Sequence, residues 1–395
     1  MKIQVERDAL ADAVAWTARA LPARPAVPVL AGMRLHAGAE ELTLSGFDYD
    51  VSAQATIPVT TEEEGTLLVS GRLLAEITRS LPARPVEISA DGTRATLTCG
   101  SATFTLLTMP AEDYPTLPEM PPAAGSIGSD AFASAVTQSA TAAARDDTLP
   151  GLTGVRIEIE GDILTLVSTD RYRLAVRELR WNPSRPDLHA CVLVPARALT
   201  DTARALTSGA EVLIALALPG EAGHVGDGMI GFEGGGRRTT TRLLGGEFPP
   251  YRSLLPGPAT AIGELATAPF SEAVKRVALV AERNTALRLS FSPGQVVLEA
   301  GTGDEAQAVE VLDGSYEFTG SADADEPDNP DAFRAEGLEV AFNPQYLLDG
   351  LAAIDSDTAR MTFTKPGKAV LMTGKPGPDG ETDYRYLLMP IRLGG

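Results

Sequence analysis

The chain has 395 residues, 44% apolar and 22% charged, with 53 carboxylates against 33 lysines and arginines and a formal net charge of -20. That length suits roughly two to four domains, and the composition excludes a disordered chain. No apolar run approaches the roughly 20 residues a membrane-spanning helix needs, and the opening MKIQVERDALADAV, charged from its second residue, predicts no secretory leader. Cys99 and Cys191 each fall inside strand-like sequence, which fits a reduced cytoplasmic setting better than a disulfide framework. An acidic total argues against nucleic acid as a partner only where the charge is evenly spread.

In chain order, the first predicted helix places Leu10, Ala13, Val14 and Ala18 on one face. The same spacing returns at Phe132, Ala135, Val136 and Ala140, and again at Phe270, Ala273, Val274 and Ala278. A second helix follows each, in VSGRLLAEITRSL, VPARALTDTARAL and FNPQYLLDGLAAI, with Leu74, Leu199 and Leu347 at matching positions. Ser70, Pro195 and Asn343 with Pro344 are expected to start these helices by cap or first-turn chemistry. Between the helices lie β-rich runs such as ELTLSGF, RIEIEGDILTLVS and ARMTFTKPGKAVLMTG, many joined by glycine-containing turns. A repeat of this kind sets the architecture. It predicts an α+β chain of three helix/β-sheet domains, 1–122, 123–255 and 256–395, with boundaries in Pro-rich stretches. The third copy carries an acidic insertion at about residues 320–337, read as a solvated loop.

Bond-making chemistry finds little support. His36, His189 and His224 have no metal-ligand spacing, and there is no Walker-type loop. FEGGGRRTTTR, from Phe232, reads as a hairpin turn rather than a phosphate cradle. Carboxylate pairs such as Asp48 with Asp50, or Asp146 with Asp147, suit a two-carboxylate hydrolase in principle. A threefold repeat in which no copy concentrates catalytic side chains favours a binding protein with no metal and no cofactor.

Several strings, in order and in the corresponding copies, carry a resemblance to a known family: RPAVPVL from Arg24, TMPAEDYPTLP from Thr108, STDRYRLAV from Ser168, GEFPPYRSLLP from Gly246, FNPQYLLD from Phe342 and YLLMPIRL from Tyr386. Together they resemble the bacterial replicative sliding clamp, the DNA polymerase III β subunit. The resemblance implies clamp domains closing as a head-to-tail homodimeric ring around duplex DNA, without sequence specificity and without catalysis. It implies a cytoplasmic protein of the nucleoid and replisome that tethers DNA polymerase, clamp loader and repair proteins through short linear motifs. A second clamp copy conferring tolerance to a clamp-directed antibiotic is the alternative within the same fold.

The ring makes a prediction about charge. Arg72 and Arg79 lie two helical turns apart on one face, and Arg197 with Arg204 occupy the same repeat positions. The third copy has Gln345 and Ala352 there, with Lys275, Arg276 and Arg283 on its first helix as the compensating bases. Arg283 aligns with Arg145, and Arg24 lies one position beyond their equivalent. These residues are the expected DNA-facing set.

By the same resemblance, the C-terminal tail walls a client-peptide pocket formed by Leu152, Thr169, Arg171, Tyr172, Arg173, Leu174, Pro249, Ser253, Leu254, Tyr346, Met389, Pro390, Ile391 and Arg392. Arg173 and Arg392 are expected to orient a peptide's polar groups, and methionine and leucine to give an adaptable apolar surface. The competing view is that LLMPI merely completes a sheet edge. Ser253 replaces a longer polar or basic side chain of some relatives, and Gly394 with Gly395 extend past the usual terminal leucine. For the dimer, Leu106 is expected to meet Leu279 and Val280 of the partner copy, with Ser101 and Thr103 where bases would form ion pairs.

Overall fold

The computed structural model describes residues 1–146, 148–207, 209–219, 228–281, 286–301, 306–320, 336–376 and 382–391. Asp147, His224, Arg283, Arg392, the two terminal glycines and residues 321–335 of the acidic insertion lie outside them.

Helical periodicity is realised in six α-helices among the described residues: α1 (Arg7–Thr17), α2 (Gly71–Ser80), α3 (Ser129–Ala140), α4 (Ala196–Ala205), α5 (Thr267–Val277) and α6 (Pro344–Ala353). The predicted apolar faces turn inward: Leu10, Ala13 and Val14 of α1, Phe132, Ala135 and Val136 of α3, and Phe270, Ala273 and Val274 of α5 are all buried. Leu74, Leu199 and Leu347, the matching anchors of the second helices, are fully buried. Only one of the expected caps forms as anticipated. Asn343 Oδ1 accepts the N–H groups of Gln345 and Tyr346 at 2.9 and 3.2 Å, with Pro344 in the first helical position. Ser70 makes no side-chain cap bond; it ends the strand Gly65–Ser70, paired with Gly32, and α2 begins at the next residue. Pro195 likewise ends a strand, His189–Pro195, directly before α4.

The chain divides into two compact units. The first takes Met1–Ala133, Trp181–Leu188 and Arg197–Leu244, and holds a fourteen-stranded sheet. Its core packs Leu10 and Val14 of α1 with Leu74 and Ile77 of α2 and with Met33, Leu35, Leu42, Leu44 and Leu97 of the sheet. The FEGGGRRTTTR segment is the expected hairpin: Met229–Gly234 pairs antiparallel with Arg237–Arg242. Gly235 and Gly236, at φ 58° and 74°, supply the positive φ that a two-residue loop of this hand requires.

The second unit takes Ser134–Arg180, His189–Ala196 and Gly245–Gly395, with a twelve-stranded sheet. Its core gathers Phe270 and Val274 of α5, Leu347 and Leu351 of α6, and Phe291, Met361 and Tyr386 from the strands. The C-terminal strand Tyr384–Leu388 is an interior member of this sheet, paired with Arg173–Arg180 on one side and Val370–Gly374 on the other. Gly350 of α6 lets the helix settle on the Tyr386 ring, since a Cβ there would stand 2.5 Å from that ring.

Candidate functional site

The turn that carries the STDRYR sequence is built by its own short polar side chains. Asp170 Oδ1 accepts the N–H groups of Tyr172 and Arg173, each at 3.0 Å. Thr169 donates its hydroxyl to the Arg173 carbonyl at 2.7 Å and accepts the Arg171 N–H at 3.1 Å. These bonds hold Arg171 at φ 79°, a left-handed conformation that costs a residue with a Cβ. Tyr172 is thereby turned outward, 60% exposed, and its ring stacks on Tyr346 of α6 with centroids 6.4 Å apart.

Arg173, expected to reach for a peptide, is instead committed within the fold. Its Nε donates to Asp170 Oδ2 at 3.0 Å and its Nη1 to Asp349 Oδ2 at 2.5 Å, while Tyr386 Oη lies 3.5 Å away. The guanidinium also lies 4.3 Å from the centroid of the Tyr346 ring, and its side chain is 5% exposed. Burial opposes its charge, but Tyr386 and Asp349 outweigh that, so the guanidinium is held charged even more firmly than usual. Burial likewise drives the Tyr386 phenol well above its ordinary pKa. That hydroxyl donates to the Tyr346 carbonyl at 2.9 Å. Arg173 is a strut between the turn, α6 and the C-terminal strand, and its position answers a different need from the one its sequence context suggested.

The chain terminus serves two purposes at adjacent residues. Leu387 and Leu388 pair with Leu174 and Arg173 and are buried, so they complete a sheet, though in its interior rather than at its edge. Beyond them the Met389 N–H donates to the Tyr172 carbonyl at 2.9 Å and the Ile391 N–H to the Ala341 carbonyl at 2.8 Å. Proline between them has no N–H to place. Both backbones are thus held while Met389 and Ile391 present side chains that are 41% and 39% exposed.

The segment after Gly246 carries Pro249, Ser253 and Leu254 of the expected set. The Tyr251 N–H bonds the Pro249 carbonyl and the Ser253 hydroxyl bonds the Pro250 carbonyl, at 2.7 and 2.8 Å, so Ser253 is used locally while Leu254 stands 51% exposed. Phe248, Tyr251 and Leu255 pack with Leu174 and Leu387 in one apolar cluster. Leu152 is buried in the 3-10 turn Pro150–Leu152, where Gly151 runs against the Glu247 backbone. Tyr172, Leu254, Met389 and Ile391 therefore offer a set of large apolar side chains on backbone that is hydrogen-bonded in place. Asp170, Asp349 and Tyr386, which hold the constellation, were not singled out in the sequence; the Asx-turn potential of S-T-D-R-Y-R was the available signal for Asp170.

Among the expected DNA-facing bases, Arg24, Arg72, Arg79, Arg197 and Arg204 are exposed in the first unit and have no ion-pair partner among the described residues. Arg72 Nη2 donates to the Pro22 carbonyl at 3.2 Å, and Arg19 pairs with Asp201 of α4 at 3.6 Å. The chain leading from α1 toward Arg24 thus meets α4 at Arg19, one turn from Arg197, and α2 at Pro22. In the second unit Arg145 is exposed, but Lys275 pairs with Glu272 at 2.7 Å and Arg276 holds Glu310 through two hydrogen bonds. Those two cations are partly neutralised within the chain.

The interface expectation needs one correction. Leu106 is 3% exposed and belongs to the first unit's own core, whereas its neighbour Leu107 is 73% exposed. Strand alternation puts only one of two consecutive leucines on each face. Leu279 is 84% exposed, as an interface residue should be, and Val280 is partly buried. The strand Ala102–Met109 pairs along residues 102–107 with one neighbour only among the described residues, and so does Ala308–Phe318 along residues 308–313. Each leaves an open edge, with Leu107 on the first and Val309 and Val311 exposed on the second.

Among the described residues no group of His, Cys, Asp and Glu is placed to hold a metal, and no helix is long and apolar enough to cross a membrane. Repeated helix-and-sheet copies, with adaptable apolar side chains on rigid turns, define a non-catalytic binding scaffold of the sliding-clamp class. Residues 1–118, 126–250 and 252–392 match in turn the N-terminal, central and C-terminal domains of the DNA polymerase III beta subunit. Over the full length of both chains the sequence is 57% identical to the beta sliding clamp of Streptomyces coelicolor and 42% identical to the beta sliding clamp homolog GriR of Streptomyces muensis. Its fold matches, with a TM-score of 0.84, 27% identity and full coverage of both chains, the crystal structure of a sliding clamp from Pseudomonas aeruginosa bound to griselimycin. The chain belongs to the DNA polymerase III beta subunit family, and its function is that of a DNA sliding clamp, a processivity factor without catalysis of its own.

Proposed function

We propose that two copies close head to tail into a ring around duplex DNA, and that the ring holds DNA polymerase, clamp loader and repair proteins at the Tyr172–Leu254–Met389–Ile391 pocket. The supporting observation is the set of exposed apolar side chains, Tyr172, Met389 and Ile391 on hydrogen-bonded backbone and Leu254 just after the turn at Tyr251 and Ser253, a form suited to short peptides with large apolar residues. The three repeats, 1–122, 123–255 and 256–395, are the domains of each subunit, and the protein works at the replisome in the cytoplasm. The free edges of Ala102–Met109 and Ala308–Phe318 are the surfaces proposed to join between subunits, with Leu107, rather than Leu106, on the first and Leu279 near the second. Arg24, Arg72, Arg79, Arg197 and Arg204 with Arg145 face the phosphates, an interaction without base information. The higher identity to the Streptomyces coelicolor clamp than to the GriR homolog supports the replicative role over the antibiotic-tolerance paralogue.

The test is topological. Loaded onto nicked circular duplex, the protein is expected to stay bound through high salt and to leave once the circle is cut, because encirclement rather than affinity retains it. Sedimentation is expected to give a dimer. A stable monomer, or equal loss from circular and linear DNA, refutes the ring.

A further inference from the structure

We propose that Glu158 is a positioning residue for the peptide pocket, a buried carboxylate that fastens the segment carrying Pro249 and Leu254. The proposal rests on the peptide-binding reading above and adds the device that shapes one wall.

Glu158 lies on the strand Gly154–Glu160 and is 6% exposed. Three donors converge on it. Arg156 Nε reaches Oε1 at 2.7 Å, Arg252 Nη2 reaches Oε2 at 2.7 Å, and the Tyr251 hydroxyl donates to Oε2 at 3.0 Å. Arg252 also reaches Glu160 at 3.1 Å, and Arg156 lies over the Phe248 ring at 5.7 Å. Phe248, Tyr251 and Arg252, which flank Pro249 and lead to Leu254, are therefore all held against one strand. Burial alone would raise the Glu158 pKa, but hydrogen bonds from Arg252, Tyr251 and Arg156 bring it below the usual carboxylate value, so it is ionised at neutral pH. Tyr251 meanwhile packs its ring with Leu174 and Leu387 beneath the pocket. One residue thus joins the carboxylate to the floor.

The first repeat provides an internal comparison. Its strand Gly32–Ala37 corresponds to Gly154–Glu160: Gly32 pairs with Ser70 before α2 as Gly154 pairs with Pro195 before α4. On that correspondence Arg34 stands for Arg156, His36 for Glu158 and Tyr114 for Tyr251. The scaffold is retained, including the turn, where Tyr49 at φ 76° matches Arg171 and Asp48 Oδ1 accepts two N–H groups. The carboxylate is not: His36 bonds Thr66, and Arg34 Nε is buried with no hydrogen-bond partner among the described residues. Two of the four exposed apolar positions are polar here, Asp50 for Tyr172 and Arg242 for Met389, while Leu117 stands for Leu254. Arg242 donates its N–H to the Asp50 carbonyl at 3.0 Å, where Met389 bonds Tyr172 in the second unit. The first repeat folds without a carboxylate at this position, where Pro115 stands for Arg252, so the carboxylate accompanies its basic partner and the pocket.

The experiment uses the full-length protein and a fluorescent peptide of the client type, with a glutamine and large apolar residues. Glu158→Gln is expected to weaken the peptide roughly three- to tenfold, chiefly through faster dissociation, with the sedimenting species unchanged. Arg252→Gln, at a side chain that is 62% exposed and so tolerant of change, is expected to do the same. The double variant is expected to be no weaker than either single one, because both remove the same fastening. Affinity losses that add in the double variant and scale with the fall in melting temperature would instead reflect a general loosening of the fold; that result overturns the assignment. Unchanged affinity in both single variants, with loss in Leu174→Ala and Met389→Ala, also overturns it while leaving the pocket in place. Unchanged affinity in all four variants removes the pocket reading and this inference together.

Discussion

Arg173 and Met389 sit at opposite ends of what side-chain identity alone can say. Both are matched to the pocket by local sequence, but Met389 is half-exposed and available whereas Arg173 is buried between Asp170 and Asp349. Asp349 is 176 positions away in sequence, so nothing local could reveal that the guanidinium was already satisfied. Arg173→Ala is expected to lower unfolding free energy by about 3 kcal/mol in urea titrations, since it removes a buried guanidinium and leaves two half-buried carboxylates uncompensated. Met389→Ala is expected to weaken a client peptide roughly tenfold or more with no change in sedimentation, a loss that corresponds to one apolar anchor. Leu174→Ala is expected to show the same loss of affinity together with reduced stability, because Leu174 is 3% exposed. The Glu158 carboxyl has its pKa lowered in the fold, so its contribution is complete above the unfolded value, about 4.3, and is lost as pH falls through the folded one. Urea titrations are therefore expected to show the stability gap between the unmodified protein and Glu158→Gln closing as pH falls below the ordinary carboxylate range. Tyr114 behaves in the opposite sense. Burial pushes its phenol up to about 12, so an alkaline absorbance titration is expected to find at least one tyrosine ionising well beyond the ordinary range.

At the scale of elements, the terminal strand and the two free edges separate packing from function. Tyr384–Leu388 bonds to neighbours on both sides, whereas Met389 and Ile391 anchor only through backbone N–H groups. Removing residues from Met389 onward is expected to abolish peptide binding and leave thermal unfolding nearly unchanged. Removing residues from Tyr384 onward is expected to unfold the second unit, because the sheet loses an interior strand and the core loses Tyr386 and Leu388. Circular dichroism melts separate the two cases. At the proposed interface, Leu107→Glu and Leu279→Glu are expected to shift sedimentation toward monomer with the fold intact, while Leu106→Glu is expected to disrupt the fold itself. Helix positions were legible because their apolar period is long and repeats three times. The strand TFTLLTM was legible as a strand but not in phase, since two consecutive leucines leave the inward face undecided until Leu106 is seen packing in the core. Ser70 makes no cap for a related reason: residue type suggests one, but the sheet fixes where the backbone turns.

For the whole molecule, the central quantity is how a chain of net charge -20 retains DNA. Reversing Arg24, Arg72 and Arg197 together is expected to shorten retention on nicked circles and to flatten its salt dependence, with no change in sequence preference. Lys275→Glu and Arg276→Glu are expected to matter less per charge, because Glu272 and Glu310 already engage those cations. The sequence by itself determined the threefold repeat, the helix faces, the lack of a catalytic constellation and the strings that mark the family, because these are local patterns in residue type and spacing. Tertiary structure alone decided that Arg173 is a strut, that Leu107 and not Leu106 is exposed, that the terminal leucines lie within a sheet, and that Arg156, Tyr251 and Arg252 converge on Glu158. Each of these depends on which distant residue arrives at a given distance and on which side of a strand faces water, and neither is recorded in the order of residues along one segment.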